Sequence, residues 1–326
     1  MPTDDFETYE AIRDWRDYEL TKKKFNQVQL NNFHDEVMRA TFHYAVKRLG
    51  EKPPSEFAWF ITGSGGREEQ GYISDQDHGI IYEEKDATLQ RYFHQLGKEL
   101  AEGLNIVGYP YCDGKIMSSN PLWCKSQPEW FEQLQSWLDE KSWATMRHLQ
   151  IFFDARVLVG ESEYINHLKR SVHEAVQKNP YNLKRLLDNI QHIKTSIGPL
   201  GQILTENHGS HKGEINIKYA AFLPFVNGIR LLSIKEGIVE SSTLSRLERL
   251  MCKKPYKHAL LPYHHDFQQL LKLRHSLLTP MSTYEDGHYL NVRNMNREEK
   301  SKIKVILKNG RRLHQYVEDV IEQEVK

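Results

Sequence analysis

Phe57-Ala58-Trp59-Phe60-Ile61-Thr62-Gly63-Ser64-Gly65-Gly66-Arg67-Glu68-Glu69-Gln70-Gly71-Tyr72-Ile73-Ser74-Asp75-Gln76-Asp77-His78-Gly79-Ile80-Ile81-Tyr82 is the stretch whose reading sets the architecture. Its two apolar runs, 57–61 and 78–82, have the length and the flanking turn residues of buried strands. Between them stand a glycine-rich turn and an Asp-x-Asp pair. Side chains alternate along an extended chain, so Asp75 and Asp77 face the same way, about 6 to 7 Å apart along the backbone, and Gln76 faces the other.

Two carboxylates aimed at one point can hold a hard divalent cation. Mg²⁺ (or Mn²⁺) suits them, because it takes oxygen ligands and completes its octahedron with water and substrate phosphates. Gly63, Ser64, Gly65 and Gly66 can bring backbone N–H groups and a hydroxyl close to a triphosphate. Arg67 adds a planar, permanently charged donor for phosphate oxygens. Either motif alone is weak, since Asp-x-Asp occurs by chance and a glycine run is most often a turn. A β-hairpin with a polar loop, Asp75 serving as a turn residue, is the competing reading. It leaves two same-face carboxylates ahead of an apolar strand unexplained.

The run Gly63-Ser64-Gly65-Gly66-Arg67-Glu68-Glu69-Gln70, followed by Ser74-Asp75-Gln76-Asp77, resembles the signature of the DNA polymerase β-like nucleotidyltransferase superfamily. Within it the chain is similar to the nucleotidyltransferases allied to the N-terminal domain of nitrogen-regulatory protein uridylyltransferases, a group often fused to CBS domains. No CBS pair is apparent here. Residues 108–120 and 152–160 also look like that group, as do Gly213-Glu214-Ile215-Asn216-Ile217-Lys218 and Leu273-Arg274-His275 in its helical, substrate-binding C-terminal region.

The resemblance implies an α+β fold: a mixed sheet with helices, then an all-α bundle. The expected divisions are an N-terminal helical arm (1–54), a catalytic domain (55–162) and a helical substrate-binding domain (163–326). Related transferases commonly use a third acidic residue, for which Asp113 and Asp154 are the candidates. Asp113 lies in an Asp-Gly dipeptide, a turn signal first, and Asp154 reads first as a structural, partly buried acid paired with an arginine such as Arg156. The motif match further makes Lys218, Arg230 and Arg274 candidates for phosphate contact, with Gln76 beside the metal pair. A surface role remains the bland alternative for the three cations.

Elsewhere the sequence predicts a helix over 33–49, a Gly-Glu-Lys-Pro-Pro breaker at 50–54, helices over 88–103 and 128–139, and a strand near 106–109. From about Tyr164 onward the periodicity is helical, interrupted at Gly198-Pro199, Gly209, Gly237, Lys254-Pro255 and Thr279-Pro280. Lys218 is expected on a helix with Ile215, Ile217, Tyr219 and Phe222. Arg185 and His192 match the spacing of an Arg-x(4–6)-His ribonuclease motif, a coincidence expected by chance with 16 histidines.

At 326 residues the chain can support two cores, and 39% hydrophobic with 27% charged is an ordinary globular composition. Lys+Arg and Asp+Glu balance at 44 each, which argues against whole-surface attraction to nucleic acid or anionic membrane. Cys112, Cys124 and Cys252 lack metal or disulfide spacing and read as free thiols; His264-His265 and His208-x-x-His211 lack the partners of a zinc site. With no signal peptide and no long apolar run, a cytoplasmic protein is expected.

The expected activity is Mg²⁺-dependent transfer of an NMP from an NTP to a protein or small-molecule acceptor, with release of pyrophosphate. The competing class is a catalytically silent nucleotide-binding module that reports nucleotide level in signal transduction.

Overall fold

A computed structural model describes residues 6–191, 194–277 and 286–325, which divide into two compact units: 1–139 with 151–172, and 140–150 with 173–326. His192 and the expected break at Thr279-Pro280 lie outside the described residues.

The first unit opens with α1 (Tyr9–Lys22) and α2 (Gln27–Leu49). Asn26 and Gln29 close a capping box at the start of α2, each side chain bonding the other's backbone N–H. Then follow β1 (Phe57–Ile61), a single helical turn α3 (Gly63–Gly66), β2 (His78–Tyr82) and α4 (Ala87–Val107). Asp86 caps α4 by accepting from the N–H groups of Thr88 and Leu89. β3 (Cys124–Ser126), α5 (Gln127–Glu140) and β4 (Arg156–Gly160) come next in this unit, while α6 (Trp143–Phe153) and α7 (Ser162–Lys178) each have residues in both units. The helices expected over 33–49, 88–103 and 128–139 are thus present with longer bounds. The strand expected near 106–109 is not: Ile106 and Val107 are the last turn of α4, which stops at Gly108 in the left-handed region (φ +108°).

The four strands form one mixed sheet in the order β3-β2-β1-β4, with β1 antiparallel to both neighbours and β3 parallel to β2. Both faces are covered, which is why 57–61 is a continuous apolar run with no alternation. On one face Phe42 of α2 stacks on Phe57 and Trp59 of β1, and Phe93 of α4 stacks on Tyr82. On the other, Phe60 meets Trp130 of α5 and Phe152 of α6 edge-on. Trp130 Nε1–H donates to the Ile80 carbonyl, so a large side chain buried at 0% exposure keeps its polar atom satisfied.

The second unit holds α8 (Tyr181–Asp188), β5 (Glu214–Asn216), a π-helical turn (Lys218–Phe222), α9 (Leu223–Glu236), α10 (Thr243–Met251), α11 (Leu261–Leu277), β6 (Tyr289–Asn291) and α12 (Arg297–Val325). α12 buries Ile303, Ile306, Leu307, Gly310, Leu313, Val317 and Ile321, one stripe at three- and four-residue spacing. The two-stranded ribbon of β5 and β6 interrupts what the sequence predicts as helix, so Ile215 lies on a strand and Lys218 on the π turn after it. Three-residue strands more than seventy positions apart carry no local signal.

Candidate active site

The end of β1 and the start of β2 are paired, Ile61 opposite His78, and the ladder runs one step further: the Thr62 N–H donates to the Asp77 carbonyl at 2.8 Å. The sixteen-residue connection is therefore pinched at its base, and the glycine turn is held beside the Asp-x-Asp segment.

Gln76 sets the direction of the two acids. It is 1% exposed, and its Nε2 donates to the carbonyls of Ala101 (3.0 Å) and Tyr109 (2.9 Å). Its backbone N–H donates to the Pro110 carbonyl at 3.1 Å. Its Oε1 faces His78 Nε2 at 3.0 Å. Trp59 Nε1, which can only donate, lies 3.2 Å from His78 Nδ1, so Nδ1 accepts and Nε2 carries the proton given to Gln76. Burial drives the His78 pKa down to about 3, so the ring is neutral and fits this chain of donors. Gln76 is thus turned inward and saturated. Its expected contact with nucleotide is corrected: it anchors the strand whose next residues face the site.

Facing the other way, Asp75 and Asp77 come together with Cys112, the three offering one ligand atom each within 4.8 Å of one another. Burial, then the neighbouring Asp77 carboxylate that accepts from it, push the Cys112 thiol up, so it is a hydrogen-bond donor here. The two carboxylates fit a hard cation such as Mg²⁺ or Mn²⁺, which takes oxygen ligands, whereas the protonated Cys112 thiol beside them is a soft group that adds no ligand of that kind. Gly63 supports that fit. It has φ +56°, and a Cβ built on it would lie 2.2 Å from Asp77 Oδ2, so only glycine leaves Asp77 its place. Ser64 Oγ lies 3.3 Å from Ser74 Oγ, which joins the glycine turn to the residue before Asp75.

Three expected roles change. Asp113 sits exposed in a turn and is not part of the Asp75–Asp77–Cys112 group. Asp154 is fully buried and accepts from Arg67 Nη1 at 2.6 Å, while Arg67 Nε donates to Glu69 at 2.8 Å. Arg67 is thereby a structural cation between two buried acids, not a donor aimed at a triphosphate, and Asp154 is its counter-ion, not a third metal ligand. Gly66 contributes close packing, because a Cβ there would lie 2.1 Å from the Asp154 carbonyl oxygen. Arg156 pairs instead with Asp35 through two bonds of 2.8 and 2.9 Å and donates to the Gly65 carbonyl at 3.1 Å.

The sequence reading missed the grip of α2 on this loop. Gln27 Nε2 donates to the Gln70 carbonyl at 2.9 Å, Asn31 Oδ1 accepts from the Gln70 N–H at 3.0 Å, and His34 Nε2 donates to the Gly71 carbonyl at 2.9 Å. The spacing 27, 31, 34 is one helical face, and that was the available signal. The place of Cys112 beside Asp75 and Asp77 had no signal of its own in the 108–120 segment beyond a thiol next to an Asp-Gly turn.

In the second unit Lys218 Nζ lies 3.3 Å from His288 Nε2, and Arg274 covers the Phe222 ring at 5.0 Å. Burial, then Lys218 and Arg274, drive the His288 pKa down to about 3, so these two cations share one neighbourhood. Arg230 does not join them as a surface donor. It is 5% exposed and donates to Asn227 at 2.9 Å within the helical core. His211, for which zinc was already a weak reading, pairs with Glu214 and stacks on Tyr289 at 3.7 Å.

Residues 18–143 match the family model described as "Putative nucleotidyltransferase DUF294", and residues 180–321 match that described as "Putative nucleotidyltransferase substrate binding domain". Together they span most of the chain, which belongs to the DUF294 nucleotidyltransferase family with its helical C-terminal domain. No curated protein matches the chain. Among the described residues no helix is long and apolar enough to cross a membrane.

Proposed function

We propose that the chain transfers an NMP from an NTP to a protein or small-molecule acceptor, releasing pyrophosphate, with Asp75 and Asp77 as ligands of Mg²⁺ or Mn²⁺. The observation that carries this reading is the convergence of those two carboxylates beside Gly63, where a side chain would displace Asp77. A bound divalent ion there supplies charge neutralisation for the triphosphate and lowers the barrier to attack at phosphorus. Ser64, with the backbone N–H groups of Gly63 to Gly65, orients phosphate oxygens. Catalysis is then a matter of positioning and charge, with no covalent intermediate on the protein.

In this reading residues 55–162 are the catalytic domain, braced by the arm of 1–54, and 163–326 choose the acceptor, with Lys218 and Arg274 meeting an anionic group. The three free thiols suit a reducing, cytoplasmic compartment. One observation favours a second reading: the third member of the ligand group is the Cys112 thiol and not a carboxylate. A site short of one acid is what a silent nucleotide-binding signal module would keep.

The test is incubation of the protein, and of an Asp75→Asn/Asp77→Asn variant, with each α-³²P-labelled NTP, Mg²⁺ and cell extract. Label moved by the wild type alone supports transfer and names donor and acceptor. Mg²⁺-dependent binding with no label moved supports the module.

A further inference from the structure

The hydrophobic stripe of α12 leaves a polar face, and on it Lys308, Arg311, Arg312, Gln315 and Glu318 recur at helical spacing. This face borders a cavity of about 770 Å³, closed on another side by the segment from Lys194 to Ile197. The volume lies within the about 300 to 1,000 Å³ of small-molecule sites.

Its charge is one-sided. Among the described residues, Lys194, Lys308, Arg311 and Arg312 line it against the single acid Glu318. Lys194 is answered by Glu206, and Glu318 accepts from Gln315 at 3.1 Å. Arg312 donates to Asn309, a neutral group, at 3.2 Å. Lys308 and Arg311 have no hydrogen-bond or ion-pair partner among the described residues. Three cations thus share the rim of one concavity with no carboxylate partner among the described residues, and like charges one helical turn apart repel. Ala220 and Leu307 add apolar lining against which an organic body can rest.

We propose that this cavity in the second unit binds a small organic polyphosphate, a molecule of nucleotide size carrying two or more phosphate groups. Arginine forks match phosphate geometry through paired N–H donors, and lysine adds a point charge. Lys308, Arg311 and Arg312 fall within about 6 Å of helix axis, a cluster suited to one compact anion. A nucleic-acid strand needs a stripe of cations and stacking aromatics along its track. The site stands independently of the Asp75–Asp77 group and of any metal.

The experiment is titration calorimetry of the full-length chain with sodium tripolyphosphate in EDTA at fixed ionic strength. Lys308→Gln/Arg311→Gln removes two exposed, unpartnered charges, so its thermal melting should match the wild type. Its affinity should fall about tenfold or more, as loss of charge-assisted bonds requires. The Asp75→Asn/Asp77→Asn variant should bind as the wild type does. Equal binding by Lys308→Gln/Arg311→Gln, or loss of binding in the Asp75/Asp77 variant, overturns the assignment. Citrate binding as tightly as tripolyphosphate would refute the preference for phosphate. A single-stranded RNA oligomer that outcompetes tripolyphosphate through Lys308 and Arg311 would replace it with a nucleic-acid surface.

Discussion

Gly63 and Asp77 are so close that a Cβ on Gly63 would lie 2.2 Å from Asp77 Oδ2. The glycine of the turn and the second acid of the pair, fourteen residues apart in the chain, are one structural unit. Gly63→Ala should therefore displace the carboxylate as well as strain a left-handed φ, the latter alone costing about 1 to 2 kcal/mol. Mn²⁺ binding, followed by electron paramagnetic resonance, is expected to weaken by about tenfold or more, the scale seen when the support of a metal ligand is lost. Unchanged Mn²⁺ affinity would remove Asp77 from the metal site.

Arg67 separates a structural role from a substrate role by a single substitution. Its guanidinium bridges Glu69 and the fully buried Asp154. Arg67→Ala leaves those carboxylates buried without their cation, which typically costs about 3 to 5 kcal/mol. The urea midpoint should drop accordingly. A variant with an unaltered midpoint and weakened NTP affinity would instead restore Arg67 to the triphosphate.

The two strands, the intervening Asp-x-Asp and the mixed-then-helical order were legible because each rests on local pattern: apolar runs bounded by turns, and period two against period 3.6. Arg67, Gln76 and Asp154 were misassigned for a common reason. Their types suit phosphate or metal chemistry, and only burial and partner choice show them satisfied inside the fold. Arg67 meets Asp154 across eighty-seven positions, and Gln76 meets Ala101 across twenty-five, so no window of sequence contains either contact. Cys112 was read only as a free thiol for the same reason, since its place beside Asp75 and Asp77 is made by a turn outside their segment.

Stability should fall as the solution is acidified from neutrality. His34 is held near pKa 4 by burial, and His288 near 3 by burial and the adjacent Lys218 and Arg274. Unfolded, each takes up a proton near its ordinary value of about 6.5. Between about pH 6.5 and 4 the unfolded chain binds protons that the native chain refuses, so unfolding free energy rises with pH through that window. Urea midpoints at pH 7.5 and 5 should differ in that sense, and His34→Gln and His288→Gln should each flatten the difference. A slope unaffected by both changes would mean that neither ring is held neutral.

Gln76→Leu tests whether the residue between the two acids is an anchor. Leucine fills much of the same volume but offers no polar atoms, so the carbonyls of Ala101 and Tyr109 lose a donor and His78 Nε2–H loses an acceptor. Each buried group left unpaired costs about 1 to 3 kcal/mol, so a lowered urea midpoint is expected. Because the segment 75–77 is fastened through this side chain, Mn²⁺ affinity should fall together with stability, although the Gln76 side chain bonds Ala101, Tyr109 and His78 on the inward side. Gln76→Glu should be worse than Gln76→Leu, because a carboxylate facing two carbonyl oxygens adds repulsion to the lost bonds. A residue contacting nucleotide would behave differently, weakening NTP affinity while leaving the midpoint and Mn²⁺ binding in place.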